Sequence, residues 1–491
     1  MSYKRKKTKI IATLGPAISS KEMLHKMVEA GVNVFRINFS HANYEDVKTR
    51  IKLIREINEE YGFNACVLAD LQGPKLRVGV MKDDVVVSPG DEIIFATGDR
   101  FEGTKDRVYM TYDRFPLDAK KGESILLDDG KLLFEVLSTN LKDEVRAKVI
   151  QGGPLKSKKG VNLPNTDISQ PALTEKDKED AIFAVEQEVD WMALSFVRNP
   201  EDLMELQKLI SEHSSCKIPV IAKIEKPEAV ENIDKIIAYC DGLMVARGDL
   251  GVEVPAHQVP LIQKELVLKA KKARIPVIIA TQMMESMITS LTPTRAEVND
   301  VANSVMDGAD AVMLSGETSV GQFPVQVIEK MSNIIKTVEN SDLINVPQNP
   351  PHIRTKRYIT KSICYHAANM ANEINARAIS TLTNSGYTAF QISAWRPDAH
   401  ILVFSSNKRI ISQLNLLWGV RAFHYDKFAS TDETINDVNK IAYEKGYLKA
   451  EDMVISLAAM PMKNKGMVNT LRVGEVKNYS KLQKIDLKRS V

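Results

Sequence analysis

Eight short apolar runs, separated by stretches long enough to hold a helix, are the feature that most constrains the fold of this chain. They fall at 9–14, 32–38, 66–70, 191–196, 220–224, 243–246, 277–280 and 311–314. They are rich in Val, Ile, Leu and Ala and nearly unbroken by polar residues, which is the pattern of strands buried on both faces. Amphipathic helical patterns lie between most of them, for example at 22–30, 202–212, 259–273 and 295–306. Alternating strand and helix predicts parallel strands. Eight such units predict a closed (β/α)8 TIM barrel, with an open doubly wound sheet as the other arrangement that this periodicity allows.

Two intervals break the rhythm. Between the third and fourth runs, residues 72–170 show β-like runs at 85–87, 93–97, 124–127, 132–137 and 145–149, set apart by turns such as Pro89-Gly90-Asp91 and Asp128-Asp129-Gly130. That texture predicts a small all-β domain, a β-barrel, inserted into a barrel loop. The helical pattern resumes at Thr174-Glu175-Lys176-Asp177, a helix start. The expected boundaries are thus 1–71 and 171–342 for the two parts of the barrel and 72–170 for the insert. The Pro-rich stretch 344–351 predicts a linker. A helical pattern at 361–374 and strand-like runs at 378–382, 401–404 and 453–457 predict a second α/β domain over 355–477, followed by a polar tail at 478–491.

Composition narrows the function classes. The net charge of +3 is too small for a chain of 491 residues to suggest nucleic acid as a partner, and the basic run at 4–7 reads as a solvated terminus. The four cysteines, Cys66, Cys216, Cys240 and Cys364, form no CxxC pair, so neither a zinc site nor a disulfide framework is expected. No signal-peptide pattern occurs, and no run approaches the roughly 20 apolar residues of a membrane span. No membrane association and a cytoplasmic location are therefore expected.

Barrel enzymes build their sites where strands end. Here the second run ends in Arg36-Ile37-Asn38-Phe39-Ser40-His41, and the third in Asp70, leading on to Lys75 and Arg77. The fifth ends in Lys223-Ile224-Glu225, the sixth in Arg247-Gly248-Asp249, the seventh in Thr281-Gln282 and the eighth in Ser315-Gly316-Glu317. Glu225 and Asp249 are carboxylates on adjacent strands that could hold one Mg²⁺ through oxygen; alternatively they only pair with Lys223 and Arg247. Arg36, Arg77 and Lys223 supply positive charge for an anionic substrate. Metal, cations and positioning are what phosphoryl transfer requires. No Walker loop and no protein-kinase glycine loop is present.

Together these residues resemble the pyruvate kinase family. The motifs that carry the resemblance are Lys9-Ile10-Ile11-Ala12-Thr13-Leu14-Gly15-Pro16, Arg36-Ile37-Asn38-Phe39-Ser40-His41, Ala222-Lys223-Ile224-Glu225, Ala246-Arg247-Gly248-Asp249-Leu250-Gly251, Ala280-Thr281-Gln282-Met283 and Met313-Leu314-Ser315-Gly316-Glu317-Thr318. They run in the family's order over roughly residues 5–475. The resemblance implies Mg²⁺-dependent (or Mn²⁺-dependent) phosphoryl transfer from phosphoenolpyruvate to ADP, giving ATP and pyruvate, the last step of glycolysis. It implies Glu225 and Asp249 as metal ligands, and Arg36, Lys223, Gly248, Asp249 and Thr281 as substrate contacts. Asn38, His41, Arg77 and Lys159 would face the nucleotide, with Lys159 reaching in from an insert that acts as a lid. Lys223, Arg36, Thr281 and Arg77 would be the catalytic set. Thr281, Ser315 and Glu317 are candidates for a route that delivers a proton to the enolate.

One segment departs from the pattern of K⁺-dependent members, which read Asp-Thr-Lys-Gly-Pro-Glu-Ile-Arg-Thr. This chain has Asp70-Leu71-Gln72-Gly73-Pro74-Lys75-Leu76-Arg77-Val78, with lysine in place of the glutamate. The family's K⁺ positions would be Asn38, Ser40, Asp70 and Leu71. A lysine ammonium can supply the charge that K⁺ supplies elsewhere, so K⁺ is expected not to be required; the alternative is that Lys75 points to solvent and K⁺ still binds. The C-terminal domain would be regulatory, with Thr383, Asn384, Ser385, Gly386 and Thr388 forming a loop for a phosphorylated effector and a second loop at 461–466. A homotetramer is the family's assembly. Two further readings stay open on the sequence: a Mg²⁺-dependent pyruvate lyase on a related barrel, and an inactive metabolite sensor.

Overall fold

The computed structural model describes residues 6–341, 344, 350–352, 356–427, 430–460 and 467–479. All eight apolar runs become strands of one closed parallel barrel: Lys9–Thr13, Val34–Asn38, Cys66–Asp70, Trp191–Leu194, Val220–Ile224, Gly242–Ala246, Val277–Ala280 and Ala311–Leu314. The first strand pairs with both the second and the eighth, Ile11 opposite Val34 and Lys9 opposite Ala311, so no edge is left open. Closure decides between the barrel and the doubly wound sheet. Alternate residues point inward, where Ile11, Val34, Leu68, Trp191, Ile221, Met244, Ile278 and Met313 fill the barrel, while Ile10, Phe35, Val67 and Met192 pack against the outer helices. This two-sided burial is why the runs carry almost no polar residues.

The insert leaves after the third strand and is built on a six-stranded sheet in the order Val161–Asn162, Ser124–Leu127, Leu132–Thr139, Glu144–Gln151, Glu92–Ala96, Arg107–Tyr109, with a separate two-stranded ladder of Gly153–Pro154 on Val86–Val87. Its own core includes Ile93, Phe95, Phe115, Ile125 and Phe134. The exit from the barrel is tight. Gly73 adopts φ +69, and a Cβ there would lie 2.8 Å from the Phe196 ring. The Gly73 N–H donates to Asp177 Oδ1 at 3.0 Å. Asp177 also closes the capping box with Thr174 at the start of the helix Glu175–Glu186. One carboxylate therefore fixes both chain crossings between insert and barrel.

The C-terminal unit is a five-stranded sheet in the order Val420–His424, His400–Ser405, Ala378–Leu382, Met453–Ala458, Thr470–Glu475, the last pair antiparallel. It docks beneath the barrel, at the N-terminal ends of the strands. Trp191 Nε1 donates to the Gln413 carbonyl at 3.0 Å, the fully buried Lys9 donates to the Val420 carbonyl at 2.9 Å, and Arg396 pairs with Asp310 at 2.9 Å. The opposite rim, where the strands end, is left to the insert. The expected linker lies mostly outside the described residues, as do the 461–466 loop and all but the first two residues of the tail. Among the described residues, no helix is long and apolar enough to cross a membrane.

Candidate active site

The rim residues of the second, third, fifth and sixth strands converge on one charge cluster. Arg36 Nε donates to Asp70 Oδ2 at 2.6 Å, and its Nη1 donates to Thr13 Oγ1 at 3.1 Å. Lys223 Nζ stands 3.2 Å from Asp70 Oδ1 and 3.0 Å from Glu225 Oε1. It also donates to Ser195 Oγ at 2.6 Å, and that hydroxyl donates on to the Leu71 carbonyl at 2.6 Å. All of these carboxylates are buried. Burial alone would discharge Lys223, but Asp70 and Glu225 outweigh it and hold the ammonium above its ordinary pKa. Burial likewise disfavours the Asp70 carboxylate, and Lys223 with Arg36 overcomes it, so Asp70 stays ionised.

Glu225 shifts the other way. Burial, with Asp249 adding to it and Lys223 opposing, pushes its carboxyl up to about 7. Its Oε2 accepts the Phe196 N–H at 2.7 Å. Arg247 does not neutralise Asp249. It makes a two-point ion pair with Asp300 instead, at 2.6 and 2.7 Å. Asp249 has no ion pair or hydrogen bond through its carboxylate among the described residues. A buried carboxylate beside a second, unpartnered one is a donor set that fits a hard divalent cation, leaving positions for substrate oxygens and water. Among the described residues no group of three or more His, Cys, Asp or Glu could hold a metal, so the fit is to a cation shared between two side chains and ligands from outside the protein.

The seventh strand ends in a strained turn. Thr281 and Gln282 adopt φ +69 and +54, unusual for any residue with a Cβ and most of all for a β-branched one. Thr281 Oγ1 accepts the Gly248 N–H at 2.7 Å and donates to the Ala280 carbonyl at 2.6 Å. Arg247 pins the turn from behind through the Ala280 and Thr281 carbonyls, at 3.2 and 2.8 Å. Just beyond the eighth strand, Glu317 is buried and accepts the N–H groups of Met284 at 3.1 Å and Ser315 at 2.7 Å. Burial raises its carboxyl. Both oxygens thus brace the rim backbone.

On the side of the insert, Lys159 pairs with Asp128 at 2.8 Å and Arg77 donates to the Lys158 carbonyl at 3.0 Å. Neither pairs with the barrel carboxylates. A cleft lies between insert and barrel, and Lys75, Asn162, Lys226, Glu228, Asp249 and Glu253 are among the residues lining it. Lys75 is exposed on this wall and makes no ion pair with Asp70, whose oxygens face Arg36 and Lys223. Asn38 turns its Oδ1 onto the Ser40 N–H at 3.2 Å. The side chain of His41 lies outside the described residues. In the C-terminal unit Thr383 Oγ1 accepts the Gly386 N–H at 3.0 Å, with Gly386 at φ +77 ahead of the helix Tyr387–Ala394. Asn384 and Ser385 are exposed there, and Thr388 is buried.

Thr13 and Ser195 were missed in the sequence, although the signal was present. They sit at the ends of the first and fourth runs, the two strand ends not read for polar residues. Asp300 and Asp177 lie on helices, outside any strand-end rule.

Two family models match the chain: pyruvate kinase, barrel domain, over residues 5–328, and pyruvate kinase, alpha/beta domain, over residues 361–474. Among curated relatives, the pyruvate kinase of Corynebacterium glutamicum is 42% identical over 98% of this chain and 100% of its own length. That of Mycobacterium tuberculosis is 42% identical over 95% and 98%. Among solved structures, a pyruvate kinase from Cryptosporidium parvum superposes with a TM-score of 0.88 at 31% identity, covering 96% of each chain.

Proposed function

Because the chain belongs to the pyruvate kinase family, we propose that its transfer of a phosphoryl group from phosphoenolpyruvate to ADP is carried by Arg36, Lys223, Glu225, Asp249 and Thr281 on the barrel rim. The activity itself, yielding ATP and pyruvate, is that of the family, as is the use of a divalent metal. Relatives spanning the whole chain, insert and C-terminal unit included, leave no ground for the lyase or sensor readings.

The observation that carries the residue assignment is Lys223, a buried ammonium 3.0 Å from Glu225 and 3.2 Å from Asp70. Asp70 and Thr13 occupy Nε and Nη1 of Arg36, which leaves the other amine to grip the substrate phosphate. Lys223 is kept charged by its neighbours, so it can neutralise the transferring group and the enolate oxygen left behind without a change of protonation. The Gly248 N–H and the Thr281 hydroxyl, which here bond Thr281 Oγ1 and the Ala280 carbonyl, would turn from those partners to meet the substrate carboxylate. Glu225 and Asp249 would hold Mg²⁺ or Mn²⁺, which when bound supplies the positive charge that draws phosphoenolpyruvate oxygens together. Lys159, Arg77, Asn38 and His41 would meet ADP as the lid closes and excludes water. Protonation of the enolate would run past Thr281. Ser315 and Glu317 frame that end of the rim, and the grip of Glu317 on two backbone N–H groups favours a bracing role for it.

K⁺ independence rests on Lys75, an unpaired cation on the cleft wall in place of the glutamate of K⁺-dependent members. Cytoplasmic location, a homotetramer and control by a phosphorylated effector at residues 383–388 complete the proposal. A coupled assay with phosphoenolpyruvate, ADP and Mg²⁺ tests the reaction, and absence of ATP and pyruvate would overturn it. Titrating sugar phosphates and AMP tests the effector loop; an unchanged substrate saturation curve would remove it.

A further inference from the structure

Glu253 carries none of the roles assigned above, yet its side chain is 0% exposed. It ends the short helix Arg247–Glu253. Its Oε1 accepts from Lys226 Nζ at 2.7 Å and from Asn162 Nδ2 at 2.8 Å. Its Oε2 is buried without a hydrogen bond, and the residue lines the cleft.

Each partner belongs to a different segment of the fold. Asp249 precedes Glu253 by four residues, so the two share a face of the same helix. Lys226 follows Glu225 directly. Asn162 belongs to the lid, on its edge strand Val161–Asn162. The lid meets this helix at a second place too: a Cβ on Gly130 would lie 3.9 Å from Val252 Cγ1. Removing one partner from a buried charge pair leaves the other uncompensated, so the three groups hold a narrow geometry together.

We infer that Glu253 is a positioning residue that ties the lid to both segments carrying the metal carboxylates, so that lid closure and the spacing of Glu225 and Asp249 change together. The inference rests on the reading of Glu225 and Asp249 as metal ligands given above.

Two variants of the full-length protein separate the parts. Asn162→Ala deletes only the lid's hydrogen bond, at a half-buried position. Glu253→Gln keeps the shape and removes the charge that holds Lys226. In Asn162→Ala, backbone hydrogen exchange over residues 72–170 in substrate-free protein speeds up by roughly three- to ten-fold. Its KM for ADP rises by a similar factor, roughly three- to ten-fold, while that for phosphoenolpyruvate changes by less than about two-fold. In Glu253→Gln, Mn²⁺ affinity, read from the spectrum of the free ion, falls roughly ten-fold. Unchanged lid exchange in Asn162→Ala overturns the inference, and so does unchanged Mn²⁺ affinity in a folded Glu253→Gln. If Glu253→Gln does not fold, lid exchange in Asn162→Ala decides alone. Failure of the unmodified protein to bind Mn²⁺ overturns the metal reading instead, and the lid contact is then judged on exchange alone.

Discussion

Arg247 grips Asp300 with both arms of its guanidinium, Nη1 to Oδ1 at 2.6 Å and Nη2 to Oδ2 at 2.7 Å. The same guanidinium reaches the Ala280 and Thr281 carbonyls. A left-handed Thr281-Gln282 turn costs on the order of 1–3 kcal/mol per residue and persists only where the surroundings over-determine it. Arg247 and Asp300 are those surroundings.

Arg247→Lys keeps the charge and loses the planar fork. The turn then relaxes and Thr281 leaves its place against Gly248. We expect kcat to fall by about 10- to 100-fold, with a larger solvent deuterium isotope effect as proton delivery to the enolate becomes limiting. Steady-state rates in H₂O and D₂O check this. An unchanged isotope effect would separate Thr281 from the proton step.

Among the described residues, Lys223 is the only side-chain cation that touches both Asp70 and Glu225, and Lys223→Met removes it. The two carboxylates then face each other without it, and the enolate oxygen loses its counter-charge. Turnover should fall by about 10²- to 10³-fold. The coupled assay measures it. A variant within about ten-fold of the unmodified enzyme would move the catalytic cation elsewhere.

The barrel was legible in the sequence because strands buried on both faces must be apolar throughout, and eight such runs leave few closures. Val420–His424 and Thr470–Glu475 were not legible. They are the two edge strands of the C-terminal sheet; the first buries only Val420 and Ala422 between less buried neighbours and the second is mostly exposed, so neither forms an unbroken apolar run. At the candidate site, strand ends pointed to Arg36, Lys223, Glu225, Asp249 and Thr281, and the closed barrel brings those ends to one rim. They could not reveal who pairs with whom. Arg247 follows a strand and reads as a partner for Asp249, but its partner Asp300 lies on the helix Arg295–Asp307, a proximity that only the closed fold creates.

Lys75 predicts a simple ion test. If it supplies the monovalent charge, turnover with Mg²⁺ in tetramethylammonium buffer stays within about two-fold of that in K⁺. Lys75→Glu, which restores the carboxylate of K⁺-dependent members, should make the enzyme depend on K⁺. Near-complete loss of activity of the unmodified enzyme without K⁺ would show that Lys75 serves the cleft wall only.

Beneath the barrel, Asp310 meets two cations, Arg396 at 2.9 Å and Lys271 in closer contact. One anion cannot balance both. Burial, then Arg396, lowers Lys271 from 10.5 to about 7 against the pull of Asp310. Asp310, though burial opposes its charge, is held below its ordinary range by Arg396 and Lys271. Between pH 7 and 10.5 the unfolded chain therefore carries a proton on Lys271 that the folded chain has released. Stability from this group rises with pH across that window, by at most ~1.4 kcal/mol per pH unit, and is flat below it. The Asp310 contribution is constant there and is lost only in acid. Lys271→Met leaves Asp310 with Arg396 and the Val277 N–H, and it abolishes the window. Denaturant midpoints at pH 7 and 8.5 should rise more steeply in the unmodified protein than in the variant, the buried thiols being common to both. Parallel slopes would mean that Lys271 stays charged under the barrel, with Asp310 shared equally between two cations.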